Sequence, residues 1–167
     1  MFTVKENNPC TVTVFGVIIQ KGRLLMIRRA FPPFPDTRTI PGGHKRHGET
    51  LREACAREML EETGLKVGPL RLAGYMELES PSDPRDFMSF YYRADEFSGT
   101  LLAGGPEGEL SWMEASEALS HPQAHPAFRA LGPFFFRDVI FEARAVVDEE
   151  GRGDYQVAEI LPGPDKK

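Results

Sequence analysis

The sequence predicts a mixed α/β sandwich with one core, and three observations carry this prediction. Predicted strands occur in runs that flank isolated helices, which is typical of layered α/β domains. The chain has 167 residues, so residues 1–167 are interpreted as a single domain. Hydrophobic residues make up 41% of the chain and charged residues 27%, a balance typical of a globular protein rather than a disordered one.

The strands are predicted from alternating or continuous apolar runs bounded by Gly, Pro, Ser or Asp. In chain order they are Thr11–Ile19, Arg23–Arg29, Leu70–Leu78, Phe87–Ala94, Glu109–Met113, Pro133–Val147 and Asp154–Leu161. The first two form a hairpin around Lys21-Gly22, and the last two form a terminal pair. Segments rich in Pro, Ser or Gly are the predicted loops, namely Phe31–Pro35, Ser80–Asp86 and Thr100–Glu109.

Three helices are predicted, and the first has clear boundaries. It runs from Glu49 or Thr50 to Glu62, because Thr50 and Glu53 form a capping-box pattern and Gly64 is a typical C-terminal stop. The two shorter helices are Glu114–Leu119 and Pro126–Leu131. The histidines beside the prolines of this region are interpreted as surface-loop residues, and these are His121 and His125.

Composition excludes several classes of protein. Apolar stretches such as Val12–Ile19 are far shorter than the roughly 20 residues that a membrane helix needs, and Met1–Pro9 lacks the pattern of a secretory signal. Two cysteines, Cys10 and Cys55, are too few for a disulfide framework or a four-thiolate zinc site. The net charge of −5 disfavours a broad basic surface for nucleic acid. A cytoplasmic protein with no membrane or nucleic-acid partner is therefore expected.

The charges are arranged in two adjoining blocks. Residues 28–48 contain five basic side chains and one acid, whereas residues 49–62 contain five acids and two basic side chains. Two interpretations are open: a solvated charged surface, or a site that holds a polyanion together with the cation bound to it.

Three glutamates continue the apolar stripe of the first predicted helix. The stripe itself consists of Leu51, Ala54 and Cys55. Glu58, Glu61 and Glu62 fall within the same arc one turn later, where neighbouring carboxylates repel one another and oppose the helix dipole. A hard divalent cation such as Mg²⁺ removes both costs, because carboxylate oxygens are its preferred ligands. The alternative is a charged surface turn.

The residues around this helix resemble the Nudix box. Gly43, Glu49 and the run Arg57-Glu58-Met59-Leu60-Glu61-Glu62-Thr63-Gly64-Leu65 match its nine fixed positions across 23 residues. Pro41-Gly42 precedes the box, and the strand that ends at Arg29 is similar to the strand before the box in MutT-like members. The chain thus resembles a Nudix hydrolase over essentially its whole length. This resemblance implies an α/β/α sandwich with a mixed central sheet.

The resemblance also implies metal-dependent hydrolysis of a nucleoside diphosphate linked to another group, with Mg²⁺ or Mn²⁺ as the cofactor. By the match, the metal ligands would be the carboxylates of Glu58, Glu61 and Glu62, with the Gly42 carbonyl as a further ligand. Arg57 would pair with Glu49 and brace the loop against the helix. The small-molecule nucleotide would be the partner, and the chain would be a monomer or a homodimer.

Further candidates lie outside the helix. Glu107 stands five residues before Trp112, as in the family, so it is the candidate for an additional ligand or general base, with Glu109 second. Trp112 itself is interpreted as a core residue. The arginine near the substrate phosphates would be Arg29, with Arg28 as the alternative. The remaining candidates for substrate binding follow the Gly42 position, and they are Gly43, His44 and Lys45.

Two stretches, Phe90–Gly99 and His125–Val147, resemble 8-oxo-dGTP diphosphatases. They predict cleavage of a nucleoside triphosphate, including an oxidised dNTP, to the monophosphate and pyrophosphate. The chain departs from that group in having Gly43-His44 where Gly-Gly-Lys is usual, and in lacking the Trp and paired aspartates of the vertebrate-type enzyme.

Pro81, which lies 16 residues past Leu65, favours an ADP-ribose or other nucleoside-diphosphate-sugar pyrophosphatase instead. A Nudix-like module that senses nucleotides without hydrolysing them is a minor alternative, which the intact box disfavours.

Overall fold

The computed structural model describes residues 9–162. In this part of the chain, twelve strands and three helices follow one another. The strands are β1 (Cys10–Gln20), β2 (Arg23–Arg29), β3 (Arg38–Thr39), β4 (Gly42–His44), β5 (Leu65–Val67), β6 (Leu70–Ser80), β7 (Asp83–Ala94), β8 (Phe97–Gly99), β9 (Gly104–Gly105), β10 (Gly108–Glu114), β11 (Val139–Val147) and β12 (Gly153–Pro162). The helices are α1 (Leu51–Thr63), α2 (Ala115–Ser120) and α3 (Pro126–Phe135).

The main sheet is mixed. Its strand order is β12-β11-β6-β7-β1-β2-β10-β9, with β3 added to β2 and β4 added to β1. The pairs β1–β7 and β6–β11 are parallel, and the other pairs in this sheet are antiparallel. β2 stays beside β1 for only two residue pairs, and β4 then takes its place along Thr13–Phe15. This divergence of β1 and β2 leaves the space in which the candidate site lies.

Helices cover both faces of the sheet. On one face, α1 contributes Ala54, Cys55 and Met59 to an apolar cluster that includes Val14 and Ile18 of β1. On the other face, a second cluster joins the sheet to the apolar side chains of α2 and α3, among them Ala118, Phe128, Leu131 and Phe135. The predicted α/β/α sandwich is therefore confirmed. The expectation of one core is wrong, because the sheet separates two apolar clusters.

The first helix begins and ends where its capping residues predict. The Thr50 hydroxyl accepts a hydrogen bond from the Glu53 N–H, and the Glu53 carboxylate accepts one from the Thr50 N–H. Gly64 adopts a left-handed conformation with φ of 75° and donates its N–H to the Leu60 carbonyl. Cys55 is buried within the helix–sheet interface, in agreement with its predicted core position.

Two predicted boundaries are wrong. The segment Ser80–Asp86 is not a loop, because Pro81 suits the first central position of a tight turn and Ser80 then pairs with Asp83 across the hairpin. Pro133 does not begin a strand either, since α3 continues to Phe135 and β11 begins at Val139. The buried side chains of α3 recur at helical spacing, and their burial outweighs the backbone hydrogen bond that Pro133 cannot make.

No helix within residues 9–162 is both long enough and apolar enough to traverse a bilayer.

Candidate active site

A cavity of about 420 Å³ lies where β1, β2 and β4 diverge beside α1, and we call it the carboxylate cavity. Its acidic side chains are those of Glu58, Glu61, Glu62 and Glu107. Arg29 and Arg46 also line it, as do Gly42, Gly43 and His44. The structure thus brings the box glutamates of α1 together with the acid from the Gly-rich loop before β10.

Glu62 is half-buried in the wall of the cavity. Its Oε2 accepts a hydrogen bond from the Gly42 N–H at 2.9 Å, which ties the helix to β4. Burial raises the pKa of Glu62 to about 7, and the nearby carboxylates of Glu58 and Glu107 act in the same direction. The Gly42 N–H and the charge of Arg29 oppose this rise in pKa. A carboxylate that is partly shielded from solvent and lies beside other carboxylates favours the binding of a cation.

Glu58 reaches the cavity because the residue opposite it is a glycine. The side chain of Glu58 is only 14% exposed, and its Oε1 accepts a hydrogen bond from Arg57 Nη1 at 2.6 Å. A Cβ added to Gly43 would lie 2.6 Å from the Glu58 Cδ. Since real Cβ atoms do not approach so closely, Gly43 provides the room that the Glu58 carboxylate occupies.

Arg57 holds the loop and the helix together. Its Nε donates to Glu49 Oε1 at 2.5 Å, and its Nη2 donates to Glu49 Oε2 and to the His44 carbonyl, both at 3.0 Å. This pairing lowers the pKa of Glu49 to about 2 and raises the pKa of Arg57 above its usual value. The structure therefore contains the ion pair that the sequence resemblance implies, and Arg57 also donates a hydrogen bond to Glu58.

Glu61 occupies the outer rim of the cavity. Its side chain is 47% exposed and forms ion pairs with Arg57 at 3.2 Å and Arg46 at 3.1 Å. The expectation that all three glutamates continue the buried stripe is thus wrong for Glu61, because the helix turns its side chain toward solvent. The sequence does not predict Arg46 as a site residue. Its only signal is the excess of basic residues in the segment 28–48.

The register of β2 with β10 distinguishes Arg29 from its alternative Arg28, and Glu107 from its alternative Glu109. Gly108 of β10 pairs with Arg29 of β2, and Glu109 pairs with Arg28, so the two arginines face opposite ways. Arg29 and Glu107 line the carboxylate cavity. Arg28 instead lies 3.5 Å from Asp36 and 3.6 Å from Glu109, outside this cavity.

Lys45 is not brought to the cavity. Its Nζ donates to the Arg46 carbonyl at 3.2 Å, whereas His44 lines the cavity. The 8-oxo-dGTP diphosphatases usually have a lysine at this point of the sequence. In this chain His44, and not Lys45, lies near the carboxylates.

The donor set suits a hard divalent cation, since every candidate side-chain ligand is a carboxylate. Within residues 9–162, however, no three Asp, Glu, His or Cys side chains form a ready-made metal site. Arg57 engages Glu58 and Glu61, and the Gly42 N–H engages Glu62. Each of Glu58 and Glu62 uses one carboxylate oxygen in these bonds, so its other oxygen remains available to a cation.

A second, largely apolar cavity of about 420 Å³ adjoins the first, and we call it the aromatic cavity. Its aromatic side chains come from distant parts of the chain, and they are Phe15, Phe34, Phe87, Tyr91, Phe128 and Phe135. Phe15 and Tyr91 stack with ring centroids 5.2 Å apart. Thr13, Phe15, Arg29, Ile40 and His44 line both cavities. The two spaces therefore lie side by side and share these lining residues.

His125 lines the aromatic cavity, and the prediction that it lies in a surface loop is wrong. It is half-buried because it caps α3, where its Nδ1 accepts the Ala127 N–H at 3.2 Å, and because Phe34 packs edge-on against its ring. His121 lies between α2 and α3 and lines neither cavity. Trp112 packs near Phe97 beside the α1-side cluster, as predicted for a core residue.

The chain is similar in sequence to proteins of one domain family. The model of the NUDIX domain matches residues 8–133. An ADP-ribose pyrophosphatase of Methanocaldococcus jannaschii is 36% identical over 105 residues, which are 62% of this chain and 61% of that protein. The chain thus spans about three fifths of the length of this relative. An oxidized purine nucleoside triphosphate hydrolase of Danio rerio is 32% identical over 113 residues, which are 60% of this chain and 72% of that protein.

Among solved structures, the MutT protein of Bacillus halodurans superposes with a TM-score of 0.79 at 22% identity. The superposition covers 88% of this chain and 97% of that protein. This likeness establishes the fold.

Proposed function

Since this chain belongs to the NUDIX family, we propose that it hydrolyses a nucleoside triphosphate to the monophosphate and pyrophosphate with the help of a divalent cation. Members of the family act on pyrophosphate bonds and generally use cations such as Mg²⁺. The substrate class and the metal are the parts of the proposal that need argument from the site.

The observation that carries the proposal is that the two cavities adjoin and share lining residues. One is walled by aromatic rings and suits a flat, largely apolar base, whereas the other is lined by carboxylates and arginines. Arg29 lies at their junction, where a phosphate group attached to a nucleoside in the aromatic cavity would meet its positive charge. This arrangement supports a nucleotide bound across both spaces.

The roles of the side chains follow from their positions. Glu58, Glu61 and Glu62 of α1, together with Glu107, would hold the cation, with the Gly42 carbonyl as a further ligand. When bound, Mg²⁺ or Mn²⁺ supplies charge neutralisation at phosphate and lowers the pKa of a coordinated water. Glu107 is exposed on its loop and free to accept a proton from the attacking water.

A substrate panel tests this proposal. The purified chain is assayed with the four dNTPs, 8-oxo-dGTP and ADP-ribose, since the two relatives described above act on different classes of nucleotide. We expect the highest kcat/KM for a triphosphate, with pyrophosphate as product, loss of activity on chelation and recovery with excess Mg²⁺. Hydrolysis of ADP-ribose with a kcat/KM about a hundredfold above that of every triphosphate would contradict the proposal.

Glu107→Gln is expected to lower kcat by roughly 10²-fold, the range typical of a general base or outer ligand. The matched control is Glu109→Gln, because Glu109 lies two residues away and faces Arg28 outside the carboxylate cavity. The control should change kcat by less than about twofold. Equal losses in both variants would show that the loop, rather than the Glu107 carboxylate, supports activity.

A further inference from the structure

Several polar side chains of the aromatic cavity are already engaged with protein groups. Thr13 Oγ1 and Ser89 Oγ lie 2.9 Å apart and share a hydrogen bond. The Asp83 carboxylate accepts from Arg85 through Nε at 2.9 Å and Nη2 at 2.6 Å, and Asp148 accepts from Arg152. These groups are therefore held in place by protein partners.

His125 differs because only one of its ring nitrogens is used. Nδ1 accepts the Ala127 N–H at the start of α3, so the proton of the neutral ring resides on Nε2. Burial, with a smaller effect of Arg29, lowers the pKa of His125 to about 4, so the ring is neutral at pH 7. Among the residues that the structure describes, the bond to Nδ1 is the only hydrogen bond made by the ring, and Nε2 has no partner.

The ring of His125 is also held in place. Its backbone N–H donates to the Arg38 carbonyl at 2.8 Å, which fixes the start of α3 against β3. Phe34 contacts the ring edge-on with centroids 4.6 Å apart. A Cβ added to Gly151 would lie 3.5 Å from the His125 Cε1, so the turn between β11 and β12 limits the space around the ring. The Nε2–H is therefore a donor of fixed direction.

We propose that His125 is a specificity-determining residue, whose Nε2–H donates a hydrogen bond to an acceptor on the nucleotide base in the aromatic cavity. This inference rests on the proposed function and extends it to the base. A base that places a carbonyl oxygen or ring nitrogen opposite Nε2–H forms the hydrogen bond and binds well. A base that places an amino group or C–H there leaves the donor unpaired and binds more weakly.

The test combines His125→Asn with base analogues. Asparagine keeps an acceptor for the Ala127 N–H but is too short to replace Nε2–H, so α3 stays capped. Wild type and variant are assayed with dGTP, its 7-deaza and 3-deaza analogues, and the 2-aminopurine analogue, which lack N7, N3 and O6 respectively. We expect one analogue to lose roughly tenfold in kcat/KM with the wild type and less than about twofold with His125→Asn, through KM rather than kcat.

His121→Asn is the matched control. His121 also precedes a proline and its Nδ1 accepts the N–H two residues on, from Gln123 at 3.1 Å, yet it lines neither cavity. This control should keep the wild-type response to every analogue. His125→Ser, which also caps a helix, replaces His125→Asn if the asparagine variant melts at a lower temperature.

The proposal is overturned if wild type and both His125 variants lose the same factor with every analogue. The proposed function fails separately, when the wild type hydrolyses ADP-ribose with a kcat/KM about a hundredfold above that of every triphosphate. In that case the same comparison is made with ADP-ribose and its 7-deaza and 3-deaza adenine analogues. A loss with one analogue that is confined to the wild type supports the proposal for His125, and equal losses in the wild type and both variants overturn it.

Discussion

Glu62→Gln is expected to lower kcat by roughly 10³-fold or more at saturating Mg²⁺, since a lost ligand misplaces the cation and leaves the attacking water unactivated. A loss of that size corresponds to about 4 kcal/mol of transition-state stabilisation. Glutamine is the informative replacement, because it keeps the size of the side chain and an oxygen that accepts the Gly42 N–H. The measured effect is therefore that of the charge.

The same variant should melt at the wild-type temperature or above it. Glu62 is half-buried beside the carboxylates of Glu58 and Glu107, so removal of its charge relieves repulsion in the metal-free protein. Thermal melting without metal and kcat across a Mg²⁺ titration measure the two effects. Retention of more than about a tenth of the wild-type kcat, with melting unchanged, would contradict the assignment of Glu62 as a ligand. Glu109→Gln again serves as the control.

The parts of the fold that the sequence predicts correctly are those with local causes. The bounds of α1 depend on Thr50, Glu53 and Gly64, whose hydrogen bonds lie within one turn of the helix ends. The end of α3 depends instead on burial of Phe135 against the sheet, which no local pattern reveals. Pro133 is a strong local signal for a break, and the tertiary packing of α3 overrides it.

The candidate site follows the same division. Its glutamates share one helix, so their spacing alone brings Glu58 and Glu62 to one face. Arg28 and Arg29 could be distinguished only by the register of β2 with β10. The aromatic cavity and the position of His125 beside it depend on contacts between loops and strands far apart in the chain, for which the sequence offers no periodic signal.

Gly43→Ala should lower kcat by roughly 10²-fold, because displacement of a ligand by about 1 Å is enough for a loss of this order. The added Cβ would lie 2.6 Å from both Cδ and Oε2 of Glu58, so the carboxylate must move away. The obstructing atoms are the end of a flexible side chain, and the fold can therefore accommodate the methyl group. We expect the melting temperature to stay close to that of the wild type.

Gly42→Ala is the matched comparison, because the neighbouring glycine faces main chain instead. A Cβ there would meet the Val14 carbonyl and lie 2.7 Å from the Phe15 Cα, and β1 cannot move without disturbing its pairing with β7. Overpacking of this kind destabilises by about 1–3 kcal/mol, which lowers the melting temperature by several degrees. Melting and kcat measured on both variants separate the two effects. If Gly43→Ala lost stability to the same extent as Gly42→Ala and kept its kcat, the glycine would serve the fold and not the placement of Glu58.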